Sequence, residues 1–180
     1  MEIQLPDVER ARVRSWRMSD APALAEAANN RNVWLQLRDR MPHPYALSHA
    51  EDYLRVVVGA QPELSFCIEV EGRAAGTIGL HVGSDIYRQN AELGYWLAEP
   101  FWGRGIITEA VRAMVRYGFE AYPLHRIHAE VFARNAASGR VLEKAGFTYE
   151  ARLRSNVIKD GQLLDSLVYS ILRDDAARCR

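Results

Sequence analysis

The segment best suited to binding a ligand is a glycine-bearing loop, Pro100–Gly105, between a predicted strand and a predicted helix. The first backbone N–H groups of a helix have no partners within it, and with the helix dipole they form a site for an anion. Gly103 and Gly105 let the backbone approach a ligand closely, and Arg104 can add a charge-assisted hydrogen bond to a phosphate. We expect a phosphate site here, the alternative being that the glycines only make the turn.

Two other kinds of phosphate-binding loop fit this segment less well. The Walker pattern needs Gly-Lys-Ser/Thr after a longer glycine spacing, and the sequence has none. The dinucleotide fingerprint needs a third glycine where Thr108 stands, and a longer βαβ series than the rest of the chain allows. Neither a nucleoside triphosphate nor a dinucleotide is therefore the expected ligand.

The elements that must position the loop follow from apolar periodicity and from turn and capping residues. The predicted strands are Arg12–Trp16, Leu64–Val70, Ala74–Val82, Ala91–Ala98, Arg126–Ala133, Phe147–Val157 and Leu163–Leu172. The predicted helices run from Ser19-Asp20-Ala21-Pro22 to Ala28, from a capping box at Ser48–Glu51 to about Val58, from the end of the Pro100–Gly105 loop to about Tyr122, and over Asn135–Ala145. Asp160-Gly161 predicts a hairpin turn. This order implies an α/β or α+β fold with helices on the faces of a mixed sheet.

Composition limits the function classes. A length of 180 residues without a linker or repeat predicts one domain, 1–180. A net charge of zero argues against broad nucleic-acid binding. Cys67 is expected to be a buried thiol, Cys179 lies in the tail, and neither belongs to a CxxC pair. The side chains of His125 and His128 need not converge, so the sequence predicts no metal site. Without a signal peptide or a long apolar segment, we expect a cytoplasmic protein that does not enter a membrane.

Several strings at fixed spacing resemble one family. They are Ala91–Trp96, Trp102–Gly105, Thr108–Ala110, Asn135–Ser138, Val141–Phe147, and the Asp160-Gly161 hairpin followed by Asp165. Over nearly the whole chain the sequence is similar to the GNAT N-acetyltransferases, in the branch that contains the ribosomal-protein acetyltransferases RimJ and RimL. The resemblance implies a mixed, mostly antiparallel sheet of six to seven strands, flanked by helices on both faces.

The same resemblance implies acetyl-CoA as cosubstrate, no metal, and direct attack by an amine without an acyl-enzyme. Tyr95, Trp96 and Leu97 would contact pantetheine and the acetyl group through the main chain, and Asn135 would contact the pantetheine arm or cap its helix. The pyrophosphate would lie on the loop and helix start formed by Trp102, Gly103, Arg104, Gly105, Ile106, Ile107 and Thr108.

Two loop residues depart from the family pattern. Trp102 replaces the usual Gln or Arg, and Ile107 replaces a small residue. The effect of Ile107 on the affinity for CoA is open.

An attacking amine is protonated at neutral pH, so a group must accept its proton. By analogy with similar enzymes, Glu92 is the preferred base, and its alternative role is a surface ion pair with Arg88. Glu130 on the neighbouring strand is the reserve candidate. Glu109, in the first turn of its helix, is expected to complement the dipole.

The leaving thiolate also needs a proton. Many relatives use a tyrosine where this chain has Leu142, so Ser138 is the candidate donor, its alternative role being helix capping. Trp16, Trp34 and Tyr45 belong to the part of the chain that often lines acceptor pockets in similar folds, but packing is the preferred explanation for each of them.

Three functions follow. The first is acetylation of a primary amine such as a protein N-terminus, the second is acetylation of a polyamine, amino acid or antibiotic, and the third is acyl-CoA binding without turnover. Similar proteins are frequently dimers, but no residue here demonstrates a homodimer.

Overall fold

The computed structural model describes residues 2–6 and 8–178, so the expectation for Cys179 lies outside the described residues. Contacts divide the chain into two compact units. The first unit consists of Met1–Gly79 and Tyr95–Ala110, and the second of Leu80–Gly94 and Val111–Arg180. That the chain forms a single domain therefore stays a prediction.

The described chain contains eight strands and six α-helices. The strands are β1 (Glu2–Gln4), β2 (Ala11–Arg14), β3 (Ser65–Val70), β4 (Arg73–Val82), β5 (Asn90–Leu97), β6 (Arg126–Phe132), β7 (Thr148–Lys159) and β8 (Gln162–Leu172). The helices are α1 (Ala21–Ala28), α2 (Arg31–Trp34), α3 (Leu47–Val57), α4 (Ile106–Ala121), α5 (Ala136–Lys144) and α6 (Arg173–Arg178). Short 3₁₀ turns cover Met18–Asp20, Asp85–Tyr87 and Glu99–Phe101. No helix in the described ranges has both the length and the apolar character needed to cross a bilayer.

The strands form one sheet in the order β1-β2-β3-β4-β5-β6-β8-β7. The pairs β1–β2, β2–β3, β3–β4, β6–β8 and β7–β8 are antiparallel, whereas β5 and β6 are parallel. This confirms the mixed, mostly antiparallel sheet. The sheet has eight strands where about six to seven were expected, and β1, with only three residues, is too short for its alternation to be recognised.

In the first unit, α1 and α3 contribute to an apolar core together with residues of β3 and β4. The side chains of this core are Trp16, Ala21, Leu24, Ala28, Tyr45, Ala50, Leu54, Cys67 and Ala74. The rings of Trp16 and Tyr53 meet edge to face, with centroids 5.8 Å apart. Trp16 and Tyr45 are therefore packing residues, as the packing explanation predicted.

In the second unit, α4 and α5 pack on one face of the sheet. A Cβ at Gly118 of α4 would lie 2.8 Å from Leu80 Cδ1 and 3.1 Å from Ile127 Cδ1, and one at Gly139 of α5 would lie 2.9 Å from the Tyr169 hydroxyl. Tyr169 is paired with Ala129, which shares a face of β6 with Ile127. Because side chains alternate along a strand, the residues between them on β6 face the opposite side.

Two predicted helix starts require correction. Asp20 precedes α1 as expected, but its carboxylate accepts hydrogen bonds from Arg14 (2.8 Å) rather than capping the helix. Helix α3 begins at Leu47 instead of Ser48, and the His49 Nδ1 accepts a hydrogen bond from the Ala46 N–H at 3.0 Å. Both predictions were wrong because the capping rules consider neither an arginine on a neighbouring strand nor a histidine in the first turn as a hydrogen-bond partner. The Asp160-Gly161 turn is confirmed, with positive φ at both residues.

Candidate active site

The glycine loop has the backbone conformation that its sequence predicts. Gly103 and Gly105 have φ of 76° and 78°, in the left-handed region that L side chains rarely adopt. A side chain at either position would meet no atom within 4 Å. The glycines are therefore required by the backbone conformation, and the space beside both is open to a ligand.

The start of α4 leaves backbone donors without intrahelical partners. Glu109 N–H donates to the Gly105 carbonyl at 3.2 Å, so the amides of Ile106, Ile107 and Thr108 precede the first such bond. The Ile106 side chain is 2% exposed and anchors this turn in the core, while Ile107 and Thr108 are half-buried. The turn can therefore receive an anion at its N–H groups while its apolar side chains hold it in place.

Trp102 anchors the loop through its indole. The Nε1–H donates to the Leu97 carbonyl at 2.7 Å, which ties the loop to the end of β5. The indole is also 45% exposed. Its position explains how tryptophan can stand where similar proteins have Gln or Arg, because it orders the loop without contributing a charge.

Arg104 is held by two neighbours. Its guanidinium carbon lies 5.3 Å from the centre of the Phe101 ring, and its Nη1 lies 3.8 Å from Glu71 Oε1. Glu71 occupies the turn between β3 and β4 with a φ of 52°. Both charged side chains are about half exposed, so the ion pair can open to let Arg104 meet a phosphate.

The end of β5 brings Tyr95, Trp96 and Leu97 into the same unit as the loop. Trp96 packs against the apolar core, and its carbonyl lies so close to Gly76 that a side chain there would come within 2.3 Å of it. Leu97 is buried, whereas Tyr95 is half-buried. The Trp96 ring thus packs as an aromatic side chain of the core.

Glu99 connects the loop to α2, a contact that the sequence did not reveal. Its two carboxylate oxygens accept hydrogen bonds from Asn30 and Asn32, each at 2.8 Å. Asn30 also accepts the N–H of Val33 and so caps α2. Trp34, in the same helix, stacks on His43 with ring centroids 5.6 Å apart.

In the second unit, Glu92 and His128 form a cross-strand pair. The parallel ladder joins Asn90 to Arg126, Ala91 to Ile127 and Glu92 to His128. Both Glu92 and His128 are half-buried. Arg88, considered as a partner of Glu92, donates a hydrogen bond to the Asp85 carbonyl at 3.0 Å.

His128 has an unusual environment for a titratable group. Its Nδ1 is buried and has no hydrogen-bond partner. Burial lowers the pKa of His128, and the positive charge of Arg126 lowers it further. The carboxylates of Glu92 and Glu150 and a hydrogen bond at the Ala91 backbone raise the pKa, but the net effect is a value below the usual one. Burial and Arg126 together therefore favour the neutral form of the ring.

Glu130, the reserve base, lies two residues further along β6. It accepts a hydrogen bond from Asn156 Nδ2 at 2.7 Å, and the same amide lies 2.7 Å from Ser166 Oγ. Glu130 is therefore engaged by the β7–β8 hairpin. The alternation of Arg126, His128 and Glu130 along a strand was the signal that could have identified His128 from the sequence.

Asn135 and Ser138 lie together at the start of α5. Asn135 Oδ1 accepts the N–H of Ser138 at 3.1 Å, which makes Asn135 the helix cap. Leu142, where similar proteins have a tyrosine, is fully buried. The apolar core thus fills the place of the usual acid.

Among residues 2–6 and 8–178, no three His, Cys, Asp or Glu side chains converge as metal ligands would. The first unit groups the loop with Tyr95–Leu97, Glu71 and Glu99, and the second groups Glu92 with His128. Glu71 and Glu99 carry no local sequence signal, because their partners are more than 30 residues away along the chain.

The sequence pattern of the acetyltransferase (GNAT) domain matches residues 10–148. The chain belongs to the GNAT acetyltransferase family. This GNAT chain is 45% identical over 105 residues to the probable N-acetyltransferase YjcK of Bacillus subtilis (strain 168), which covers 58% of each protein. The match thus spans little more than half the length of that relative.

Two further similarities cover more of this GNAT chain. It is 24% identical over 164 residues to spermidine N(1)-acetyltransferase of Escherichia coli (strain K12), covering 91% of the chain and 86% of that protein. The structure of Mycobacterium smegmatis RimJ in complex with CoA-disulfide has a TM-score of 0.78 and 27% identity, over 93% of this chain and 87% of that one. The similarity to RimJ confirms the resemblance to the RimJ/RimL branch.

Proposed function

We propose that the protein is an acetyl-CoA-dependent N-acetyltransferase whose acceptor is a primary amine, in the first instance a protein N-terminal α-amine. The observation that carries this proposal is the open glycine turn before α4, in a chain of the GNAT family. The resemblance to the RimJ/RimL branch of ribosomal-protein acetyltransferases supports a protein N-terminus as the acceptor. A cytoplasmic location belongs to the same proposal.

The acetyl donor would be held mainly by backbone groups. The amides from Gly103 to Thr108 would bind the diphosphate, and Arg104 would add a charge-assisted hydrogen bond after leaving Glu71. The main chain of Tyr95–Leu97 would align the pantetheine arm, and Asn135 would contact it from the start of α5. A thioester bound in this way supplies an activated acetyl group.

Transfer requires three further contributions from the chain. Glu92 would accept the proton of the acceptor's ammonium, directly or through water. A main-chain N–H of Tyr95–Leu97 would stabilise the oxyanion that develops on the thioester carbonyl. Ser138 would donate a hydrogen bond to the leaving sulfur, because the core residue Leu142 cannot.

An amine panel tests the proposal. The purified protein is incubated with acetyl-CoA and, separately, with a hexapeptide beginning with alanine, a hexapeptide beginning with serine, spermidine and lysine amide, while thiol release is followed. We expect release above the amine-free background with at least one peptide, and mass spectrometry should place the acetyl group on its α-amine. Absence of release with every amine would contradict the enzymatic proposal.

The second candidate acceptor is a small-molecule amine, which the similarity to spermidine N(1)-acetyltransferase favours. Turnover of spermidine without turnover of either peptide would select it. Tight CoA binding by calorimetry, combined with no transfer in a single turnover, would instead identify a non-catalytic acyl-CoA-binding protein. Sedimentation of the same sample would test the homodimer that similar proteins often form.

A further inference from the structure

The turn between β3 and β4 contains a glutamate at a position where short hairpins favour other residues. Val70 pairs with Arg73, so Glu71 and Gly72 alone form the turn. Their φ values are 52° and 81°, and a two-residue turn with positive φ at both positions favours Asn, Asp or Gly. A longer side chain is strained there, and such strain is found where residues serve a function outside their own turn.

The Glu71 carboxylate reaches the loop that is proposed to bind the acetyl donor. This donor loop is Trp102–Thr108, and Arg104 is its one basic residue. Glu71 Oε1 lies 3.8 Å from Arg104 Nη1. Glu71 is therefore paired with the side-chain positive charge that the proposed diphosphate site has to offer.

The stability of the fold does not explain this pair. The Arg104 and Glu71 side chains are 53% and 57% exposed, and exposed ion pairs contribute little to folding. The separation of 3.8 Å is also longer than that of a charge-assisted hydrogen bond. Since the turn itself would be better formed by Asn or Gly, the effect of Glu71 has to be sought at the ligand site.

The surroundings leave both charged side chains room to move. If the glycines of the turn and of the donor loop carried a side chain, it would meet no atom within 4 Å. Glu71 also borders a cleft of about 370 Å³, which Arg10 and Arg12 line as well. Arg12 is itself paired with Glu69, at 2.6 Å. The Glu71 carboxylate and the Arg104 guanidinium can therefore separate without disturbing packed side chains.

The negative charge of Glu71 opposes the binding of an anion in two ways. The carboxylate and a phosphate compete for the same guanidinium of Arg104. The carboxylate also repels an anion that binds beside Arg104, by an amount that falls with distance and with salt concentration. Both effects lower the affinity of the donor loop for a diphosphate.

Resting on the proposed function, we infer that Glu71 competes with the diphosphate of CoA for Arg104 and so limits the affinity for CoA. Without ligand, Arg104 lies between Glu71 and the Phe101 ring; on binding, it exchanges the carboxylate for a phosphate oxygen. No covalent bond changes, and Glu71 is a positioning residue because it acts through Arg104. Acetyl-CoA and CoA share the diphosphate, so Glu71 also favours release of the product.

The first test is calorimetric titration with CoA of the wild type, Glu71→Gln and Glu71→Asn. We expect the Kd for CoA to fall about threefold to fivefold in both variants, the size of one exposed ion pair. Glu71→Asn should also raise the urea midpoint of unfolding, because Asn suits the turn.

Glu26→Gln is the matched control. Glu26 is an exposed residue of α1 that pairs at 2.7 Å with Arg73, the first residue after the turn. The substitution removes the same charge from the surroundings of the same hairpin and leaves Arg104 untouched. Its Kd for CoA should equal that of the wild type.

Two further measurements distinguish competition for Arg104 from a general change of charge or structure. Arg104→Gln should weaken CoA binding, and adding Glu71→Gln to it should restore little affinity, because both substitutions act on one contact. The ratio of the Kd values of wild type and Glu71→Gln should shrink between about 50 mM and about 500 mM NaCl, as salt screens exposed charges.

The outcomes separate the inference from the proposed function. A wild type that binds CoA, with a Kd that neither Glu71 variant lowers, would overturn the inference alone. Equal tightening in Glu26→Gln, a full effect of Glu71→Gln without Arg104, or a ratio independent of salt would do the same. If Glu71→Gln does not fold, Glu71→Asn decides. A wild type that does not bind CoA would contradict the proposed function itself.

Discussion

Gly103 and Gly105 show how single residues shape the proposed anion site through the backbone. Both have positive φ and open space around them, so glycine is required at these positions by the backbone conformation and not by a lack of space. Their conformation directs the following amides, and Trp102 secures the turn to β5. At this scale, affinity for the acetyl donor should depend on backbone geometry more than on any one side chain.

Replacement of Gly105 tests this dependence. Gly105→Ala places a side chain at a φ of 78°, which should lower the free energy of unfolding by about 1–2 kcal/mol. The strained turn should also weaken CoA binding about tenfold, the equivalent of one hydrogen bond to a charged group. Calorimetric titration with CoA, together with urea unfolding, measures both effects.

Gly161→Ala is the matched control. Gly161 has a φ of 73° and equally open surroundings, but it lies in the β7–β8 turn. It should lose a similar amount of stability and keep its CoA affinity. Equal CoA affinities in the two variants would show that the turn before α4 does not bind the nucleotide.

At the scale of elements, a buried ion cluster joins β2, β3 and the turn before α1. Arg14, with a side chain 4% exposed, donates to Glu69 at 2.5 Å and to both oxygens of Asp20 at 2.8 Å. Arg12 adds a second contact to Glu69, at 2.6 Å. The cluster fixes where α1 starts and thereby positions the core of the first unit.

Removing one charge from this cluster should be costly. Glu69→Gln leaves the buried guanidinium of Arg14 with less negative charge beside it, so the free energy of unfolding should fall by about 3–5 kcal/mol. The matched control is Glu51→Gln, which breaks an exposed pair with Arg55 on α3 and should cost less than about 0.5 kcal/mol. Chemical denaturation at pH 7 measures both, and similar losses would contradict a stabilising cluster.

The same cluster predicts an acid-dependent loss of stability. Burial by itself would raise the pKa of Glu69, but hydrogen bonds and positive charge from Arg14 and Arg12 outweigh it and lower the pKa. The folded state therefore binds this proton more weakly than the unfolded state, and stability falls as the pH drops below the unfolded pKa of ~4.3. Glu69→Gln should show a shallower loss of stability between pH 5 and pH 3, roughly the range where carboxylates titrate.

At the scale of the whole molecule, we predict that the chain unfolds as one cooperative unit, although its contacts divide it into two. All four tryptophans and Cys67 belong to the first unit. Burial raises the pKa of the Cys67 thiol to about 12, so it should be unreactive while the protein is folded. Tryptophan fluorescence and thiol reactivity therefore report on one unit, whereas circular dichroism reports on both.

If the chain is a single domain, these probes should report one transition. In a Cys179→Ser background, the urea midpoints of fluorescence, of Cys67 labelling by a thiol reagent and of circular dichroism should coincide. If the fluorescence and labelling midpoints agree with each other but differ from that of part of the circular dichroism change, the chain has two domains. Labelling of Cys67 without urea would contradict its burial.

The sequence by itself determined those features that depend on a few neighbouring residues. The glycine turn before α4, the Asn135 cap of α5 and the Asp160-Gly161 hairpin all follow from backbone sterics and local hydrogen bonding. The strand pattern and the motif spacing also indicated the family and the mixed sheet. These features were accessible because their causes lie within one element or one turn.

Only the tertiary structure decided which distant groups meet. The Arg14–Glu69 contact, the Arg104–Glu71 pair and the Glu92–His128 register each join residues more than 30 positions apart. Pattern alone did not reveal Arg14 as the partner of Asp20 and left His128 without a role, because neither can be recognised until strand register is known. Register depends on the packing of whole strands and helices, and a shift of one residue would turn His128 to the other face of the sheet.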